Sequence, residues 1–279
     1  MPEHGPSSSP DDLSAANIRA GLKSGFWDEI LCYLSVSSSN DIALSLPEIS
    51  GPRTASVIIA EQQEKGRGRL GRTWVSPPGL NICMSMALAP DIEPAHAAFL
   101  TISAALAAAS ALRQESGLAV LLKWPNDLVV ADRKLGGILT EIRTEGRSIR
   151  KAAVGIGLNI NSSSADLPAE IACLATSLFS ETGRRFDRAR IISEILKGFE
   201  LRYNMVRAGN RGSLISELKG LSSSLGRQVK VMDNGLVTEG LAEDIDDEGL
   251  LIVRLASGLR KRIGNGDLTE GRLFNAALR

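Results

Sequence analysis

A chain of 279 residues has room for one large domain, or a main domain with a small appendage, and can bury a core without cross-links. With 43% hydrophobic and 23% charged residues it is neither a fibre nor a disordered tail, and its 32 basic and 32 acidic residues cancel, leaving no chain-wide positive field for nucleic acid or an anionic membrane. Three scattered cysteines without metal-ligand spacing fit free thiols in a reducing cytoplasm, and two histidines leave little from which to build a histidine triad or a zinc cage.

Taken in chain order, residues 1–13 are rich in Ser and Pro and read as a disordered lead-in. The start has neither the basic nor the apolar character of a signal peptide, and no apolar run approaches the roughly 20 residues that a spanning helix needs. A short helix is expected over 14–22 with Ser14 as cap, a strand over 29–34, and a polar turn over 35–40. Buried strands at 55–60 and 80–88 flank a Gly-, Arg- and Pro-rich stretch, 66–79, that has the character of a functional loop. An Ala-rich helix over 94–116 is bounded by Pro94 and Gly117. Strands at 120–124, 128–130, 137–143 and 152–160, several joined by hairpin-like turns, predict a mixed sheet packed with helices, hence an α/β (α+β) fold, and further helices follow at 187–207 and 213–221. Beyond Ser222-Ser223-Ser224, short strands at 229–232, 235–245, 250–255 and 259–263 form a small meander or barrel. The expected division is therefore a main domain over 14–222 and a small all-β domain over 225–279.

The densest chemical signal runs from Glu61 through Gln62 and Lys65 to Gly66-Arg67-Gly68-Arg69-Leu70-Gly71-Arg72-Thr73-Trp74. Glycine lets backbone approach an anion closely and arginine adds forked donors, so a phosphate-bearing small ligand is favoured over an Arg-Gly nucleic-acid segment. Neither a Walker A loop nor a kinase Gly-rich loop is present. A second signal, Lys123-Trp124-Pro125-Asn126-Asp127, is followed by Arg133-Lys134-Leu135-Gly136-Gly137-Ile138-Leu139, and a hairpin brings the two together. Asp127 offers oxygen to Mg²⁺, Asn126 can orient it or a phosphate, and Lys134 supplies a compact cation, although plain turn chemistry alone also accounts for an Asn-Asp pair. Glycines inside strands, at 136–137 and in Gly155-Ile156-Gly157-Leu158-Asn159, signal close approach by a ligand or by backbone. Ser37-Ser38-Ser39-Asn40 is either a polar linker or a set of hydroxyls for a ureido or amide group, and Trp74 can stack on a nucleobase while Trp124 suits the core.

Together, in order and spacing, the Gly66–Trp74, Lys123–Asp127, Lys134–Leu139 and Gly155–Asn159 motifs make the sequence resemble the biotin protein ligases, from about Ser37 to Asn161, with the C-terminal meander resembling that family's SH3-like domain. The resemblance implies a short form without the N-terminal DNA-binding domain of longer relatives, and so no operator binding. It implies that Ser38, Ser39, Asn40 and Gln62 line a biotin pocket together with Gly66, Gly137 and Gly155, that Arg67, Gly68 and Arg69 close over biotin and its adenylate, and that Lys134 meets the reacting carboxylate and phosphate. Arg69, Arg72, Trp74, Asn126, Asp127, Lys134 and Asn159 lie on the ATP and Mg²⁺ side, with Arg67, Arg69, Lys134 and Asp127 expected to carry catalysis. One departure stands out: the family usually reads Asp-Ser-Thr-Asn where this chain has Ser37-Ser38-Ser39-Asn40.

The implied chemistry is attack of the biotin carboxylate on the α-phosphate of ATP, then transfer of the acyl group from biotinyl-5'-AMP to a lysine of a biotin carboxyl carrier protein. It needs no protein nucleophile, in keeping with a chain poor in histidine. The resemblance also allows a β-edge homodimer. A lipoate or octanoate ligase on a related fold is the nearest alternative, and an RNA-binding module using Arg67, Arg69, Arg72 and Trp74 is a second, disfavoured by the balanced charge.

Overall fold

The computed structural model describes residues 13–46, 51–233 and 235–270. The expected lead-in therefore lies outside the described residues except for Leu13, which is buried, and so do Asn234 of the expected hairpin turn and residues 271–279. In chain order the elements are α1 (Ala15–Ala20), β1 (Trp27–Val36), α2 (Ser39–Ser45), β2 (Ala55–Gln63), β3 (Ile82–Leu88), α3 (Ala98–Ser116), β4 (Leu121–Lys123), β5 (Asp127–Val130), β6 (Arg133–Glu145) and β7 (Ser148–Leu158). They continue with α4 (Ala169–Ala172), α5 (Leu178–Thr182), α6 (Arg188–Arg207), α7 (Gly212–Leu221), β8 (Gln228–Asp233), β9 (Leu236–Ile245), β10 (Leu251–Arg254), β11 (Arg260–Ile263) and β12 (Asp267–Glu270).

Local chemistry accounts for several boundaries. Ser14 and Asp187 accept hydrogen bonds from the first-turn N–H groups of α1 and α6, and Gly117 closes α3 in the left-handed region that glycine adopts without penalty. Two readings are corrected. The polar stretch 35–40 is not one turn: β1 runs to Val36, and Ser39 and Asn40 open α2, because Asp41 and the apolar pair Ala43 and Leu44 let the segment pack as a helix. The apolar stretch Pro94–Ser116 is long and hydropathic enough to cross a membrane, contrary to expectation; here it is a short 3-10 turn leading into α3, largely buried in the core.

The first seven strands make one sheet in the order β1-β2-β3-β7-β6-β5-β4, in which β1 and β2 are parallel and all other neighbours antiparallel. The last five make an antiparallel sheet, β11-β10-β9-β8-β12, whose final strand the sequence reading lacked. Alternation along the strands gives the large sheet two faces. Val57, Ile59, Met84, Met86, Val154 and Ile156 join a core with α3, α6 and the inner side of the small sheet, whereas Ile58, Ala87 and Ala153 pack under α2. The functional residues gather at the end of this sheet where α2, the 66–79 loop and the β5-β6 hairpin meet.

Candidate active site

The Arg-Gly segment is a compact hairpin. Trp74 N–H donates to Gly66 O at 2.9 Å, Gly68 N–H to Arg72 O at 2.7 Å, and Leu70 and Gly71 turn the tip with positive φ. Gly66 is needed because a Cβ there would sit 2.6 Å from Trp74 O, so it holds the base of the hairpin and lies outside the cavity lining. The cavity beneath has a volume of about 580 Å³. Its walls include Ser38, Ser39, Asn40, Arg67, Gly68, Arg69, Arg72, Trp74, Asn126, Asp127, Lys134, Gly137, Gly155 and Asn159, so motifs more than 100 residues apart in the chain converge as expected.

Gln62 does not join them. It is exposed, and Gln63 takes the place assigned to it, accepting from Ser39 N–H at 2.8 Å and from Ser39 Oγ at 3.0 Å. Beyond Ala60, β2 is paired with β1 alone, so its pleat is no longer held by β3, and the Gln63 N–H bonds instead to Ser76 Oγ at 2.9 Å. Behind Ser39 lies a polar floor. Ser85, fully buried on β3, lies 2.7 Å from Ser39 Oγ and donates to Asn40 Oδ1 at 2.6 Å. The strand glycines make room for these side chains: a Cβ at Gly155 would meet Asn40 Oδ1 at 2.5 Å, and one at Gly157 would meet the Trp74 indole at 2.5 Å.

Charge is distributed unevenly around the loop. Arg67 donates to both oxygens of Asp41 at 2.8 and 2.6 Å and to Glu141 at 3.2 Å, and these carboxylates hold its guanidinium well above its ordinary pKa. Arg72 pairs with Asp267, and Lys134 Nζ donates to Asp127 Oδ1 at 2.7 Å. Arg69 differs: its hydrogen bonds go to neutral acceptors, Asn126 Oδ1 at 3.0 Å, Gly266 O and Asn265 Oδ1, and burial pulls its pKa down. An anion entering the cavity would relieve that cost. Arg67, expected to neutralise developing charge, is already compensated twice.

Two contributions were not legible in the sequence. Asp267, Leu268 and Thr269 of β12 reach the cavity, as do Leu167, Ile171, Leu174 and Ala175, which Lys134 anchors through backbone bonds to Leu174 O and from Thr176 N–H. Lys123 adds a further cation. The segment 167–175 shows apolar spacing in the sequence, but nothing there tells that it packs beside Lys134. Trp124 is buried as expected, and its Nε1–H donates to Gly249 O at 3.2 Å, joining the two sheets. Among the described residues no group of three His, Cys, Asp or Glu side chains is placed to hold a metal ion.

A family model described as the biotin/lipoate A/B protein ligase family matches residues 33–161, and one described as the biotin protein ligase C terminal domain matches residues 224–267. The bifunctional ligase/repressor BirA of Bacillus spizizenii is 35% identical over 94% of this chain and 80% of its own length. The biotin–[acetyl-CoA-carboxylase] ligase of Mycobacterium tuberculosis is 31% identical over 86% of this chain and 88% of its own. Among solved structures, the biotin protein ligase from Aquifex aeolicus in complex with biotin and ATP is similar, with a TM-score of 0.73 and 26% identity, over 88% of this chain and 99% of that one.

Proposed function

The chain belongs to the biotin protein ligase family, and from that membership we propose how its cavity works. The protein is an ATP-dependent ligase that activates biotin and passes it to a carrier protein. In the first step a carboxylate oxygen of biotin attacks the α-phosphorus of ATP, the bond to the bridging oxygen breaks, and pyrophosphate leaves. In the second, the neutral amine of a carrier lysine attacks the acyl carbon of biotinyl-5'-AMP, AMP departs with the electron pair, and the amine loses a proton. A carboxylate is a poor acyl donor until it carries such a leaving group, and the enzyme's task is to align the partners and offset charge.

The observation that carries this reading is Arg69, a cation that burial disfavours and whose hydrogen bonds all go to neutral acceptors, beside the Lys134–Asp127 pair. Arg69 and Lys134 take the α-phosphate and the attacking carboxylate between them. Ser38, Ser39, Asn40 and Gln63 hold the polar ring end of biotin, and Trp74, Leu167, Ile171, Leu174 and Asn159 hold the nucleoside. The donor set would fit a Mg²⁺ brought by ATP, with Asp127 as an oxygen ligand, and among the described residues it does not make a resident metal site. Bound there, the ion would neutralise phosphate charge. The β12 residues join the nucleotide side, supported by the Arg72–Asp267 pair. The Arg-Gly hairpin opens and closes with the ligand, sheltering the adenylate from water.

A cytoplasmic location belongs to the same reading, supported by three free cysteines. So does a β-edge homodimer, for which the outer edge of β1 with its exposed Leu34 is the candidate and light scattering the test. We also expect no operator binding by this chain; a biotin-dependent shift of promoter DNA would overturn that. The central experiment is exchange of labelled pyrophosphate into ATP, run with biotin, with lipoate and with neither. Exchange with biotin alone is expected. Exchange with lipoate alone would keep the fold and replace the substrate.

A further inference from the structure

Glu141 lies outside the cavity lining, yet two parts of the site meet on it. One of its oxygens accepts from Asn40 Nδ2 at 2.6 Å, and both face Arg67 at 3.2–3.3 Å. The second Asn40 Nδ2 proton goes to Leu139 O at 3.2 Å. An amide has a donor end and an acceptor end, and here both neighbours on one side demand donors. The Asn40 oxygen is thereby turned toward Ser85, whose hydroxyl lies against Ser39, which in turn bonds Gln63. One connected network thus runs from the Arg-Gly hairpin through Glu141 to the floor of the acid pocket. Asp41, one residue after Asn40 on α2, accepts from both Nη1 and Nη2 of the same Arg67.

We propose that Glu141 and Asp41 are positioning residues. Glu141 sets the orientation of Asn40 and anchors Arg67, so closure of the hairpin and the shape of the biotin-recognising floor depend on one carboxylate, while Asp41 acts on the hairpin alone. Asp41 ties the hairpin to α2 through two hydrogen bonds from Arg67. The inference rests on the biotin-ligase reading above.

The test uses the full chain carrying Glu141→Gln, Glu141→Ala or Asp41→Asn, and reads KM for biotin and for ATP in pyrophosphate exchange together with escape of biotinyl-AMP into a filtrate. Glu141→Gln keeps the shape but frees the amide to flip; losing a charge-assisted bond of this kind should raise KM for biotin about tenfold, with KM for ATP within about twofold. Glu141→Ala should do more. Asp41→Asn should speed adenylate escape with a smaller rise in KM for biotin. A merely structural role would move both KM values with thermal stability, so Glu141→Gln with wild-type KM for biotin overturns the proposal. If Glu141→Gln does not fold, Asp41→Asn decides, because its exposed side chain can be replaced without unfolding the core: wild-type adenylate retention there overturns it. Absence of biotin-dependent exchange in the unaltered protein would instead refute the ligase reading, and this inference with it.

Discussion

The cations of the Arg-Gly hairpin look alike in the sequence and differ once partnered. Arg67 and Arg72 are held by carboxylates, whereas Arg69 hydrogen-bonds only amide and backbone oxygens, and the cost of its burial outweighs the more distant attraction of Asp267 and Asp127. Arg69→Ala should therefore lower the rate of biotin-dependent exchange by about 10²–10³, the usual loss when a donor to a developing charge is removed. A variant with full activity would exclude Arg69 from the reaction. At Asp41 the Arg67 guanidinium holds the carboxyl below its ordinary 3.8. A depressed folded-state pKa stabilises above the unfolded value and is lost only as pH falls through the folded value, so the anchor stays charged from about pH 5 to pH 8. Protease cleavage within the hairpin should accordingly be flat across that range once corrected for the protease's own profile, and rise only in stronger acid. Gln62 and Gln63 show the limit of reading at this scale, because the choice between neighbours depends on where β2 loses its partner strand.

Among elements, α6 is tied to the site by Arg188. Its buried guanidinium donates to Glu61 at 2.7 and 3.2 Å and to Asn81 O at 3.1 Å, clamping the helix N-terminus to β2 and to the start of β3. Removing one partner of a buried pair strands the other, and because Glu61 retains some solvent contact the cost of Arg188→Ala should be about 3 kcal/mol, at the low end for such pairs. Thermal unfolding measures it, and an unchanged midpoint would deny the clamp. The helices with strong end signals, α1, α3 and α6, were legible within a few residues because caps and glycine act locally. The helix at Ser39–Ser45 was not, since a run of serines carries turn chemistry and only packing under Ile58, Ala87 and Ala153 makes it helical.

At the scale of the molecule, the two sheets share one core and one cavity. Trp124 bonds Gly249 O, Arg69 reaches Gly266 O, and Asp267, Leu268 and Thr269 line the site. Asp267→Asn should release Arg72 and raise KM for ATP about three- to tenfold while leaving KM for biotin nearly unchanged, as expected for loss of one partly exposed charged contact on the nucleotide side. Equal shifts in both constants would mean that the small sheet serves the whole cavity rather than one ligand.

Composition and strand and helix periodicity were enough to establish the fold class and the small C-terminal sheet, because patterning and turn chemistry act over short stretches of chain, and the family resemblance carried by four motifs pointed to part of the cavity's lining. Partnership was decided only in three dimensions. That Arg67 is paired directly with carboxylates while Arg69 bonds neutral acceptors, that Glu141 accepts from Asn40, that strand glycines seat Asn40 and Trp74, and that β12 lines the site all depend on contacts between distant segments. A charge or an amide has no fixed role until its neighbours determine whether its field and its hydrogen bonds are already satisfied.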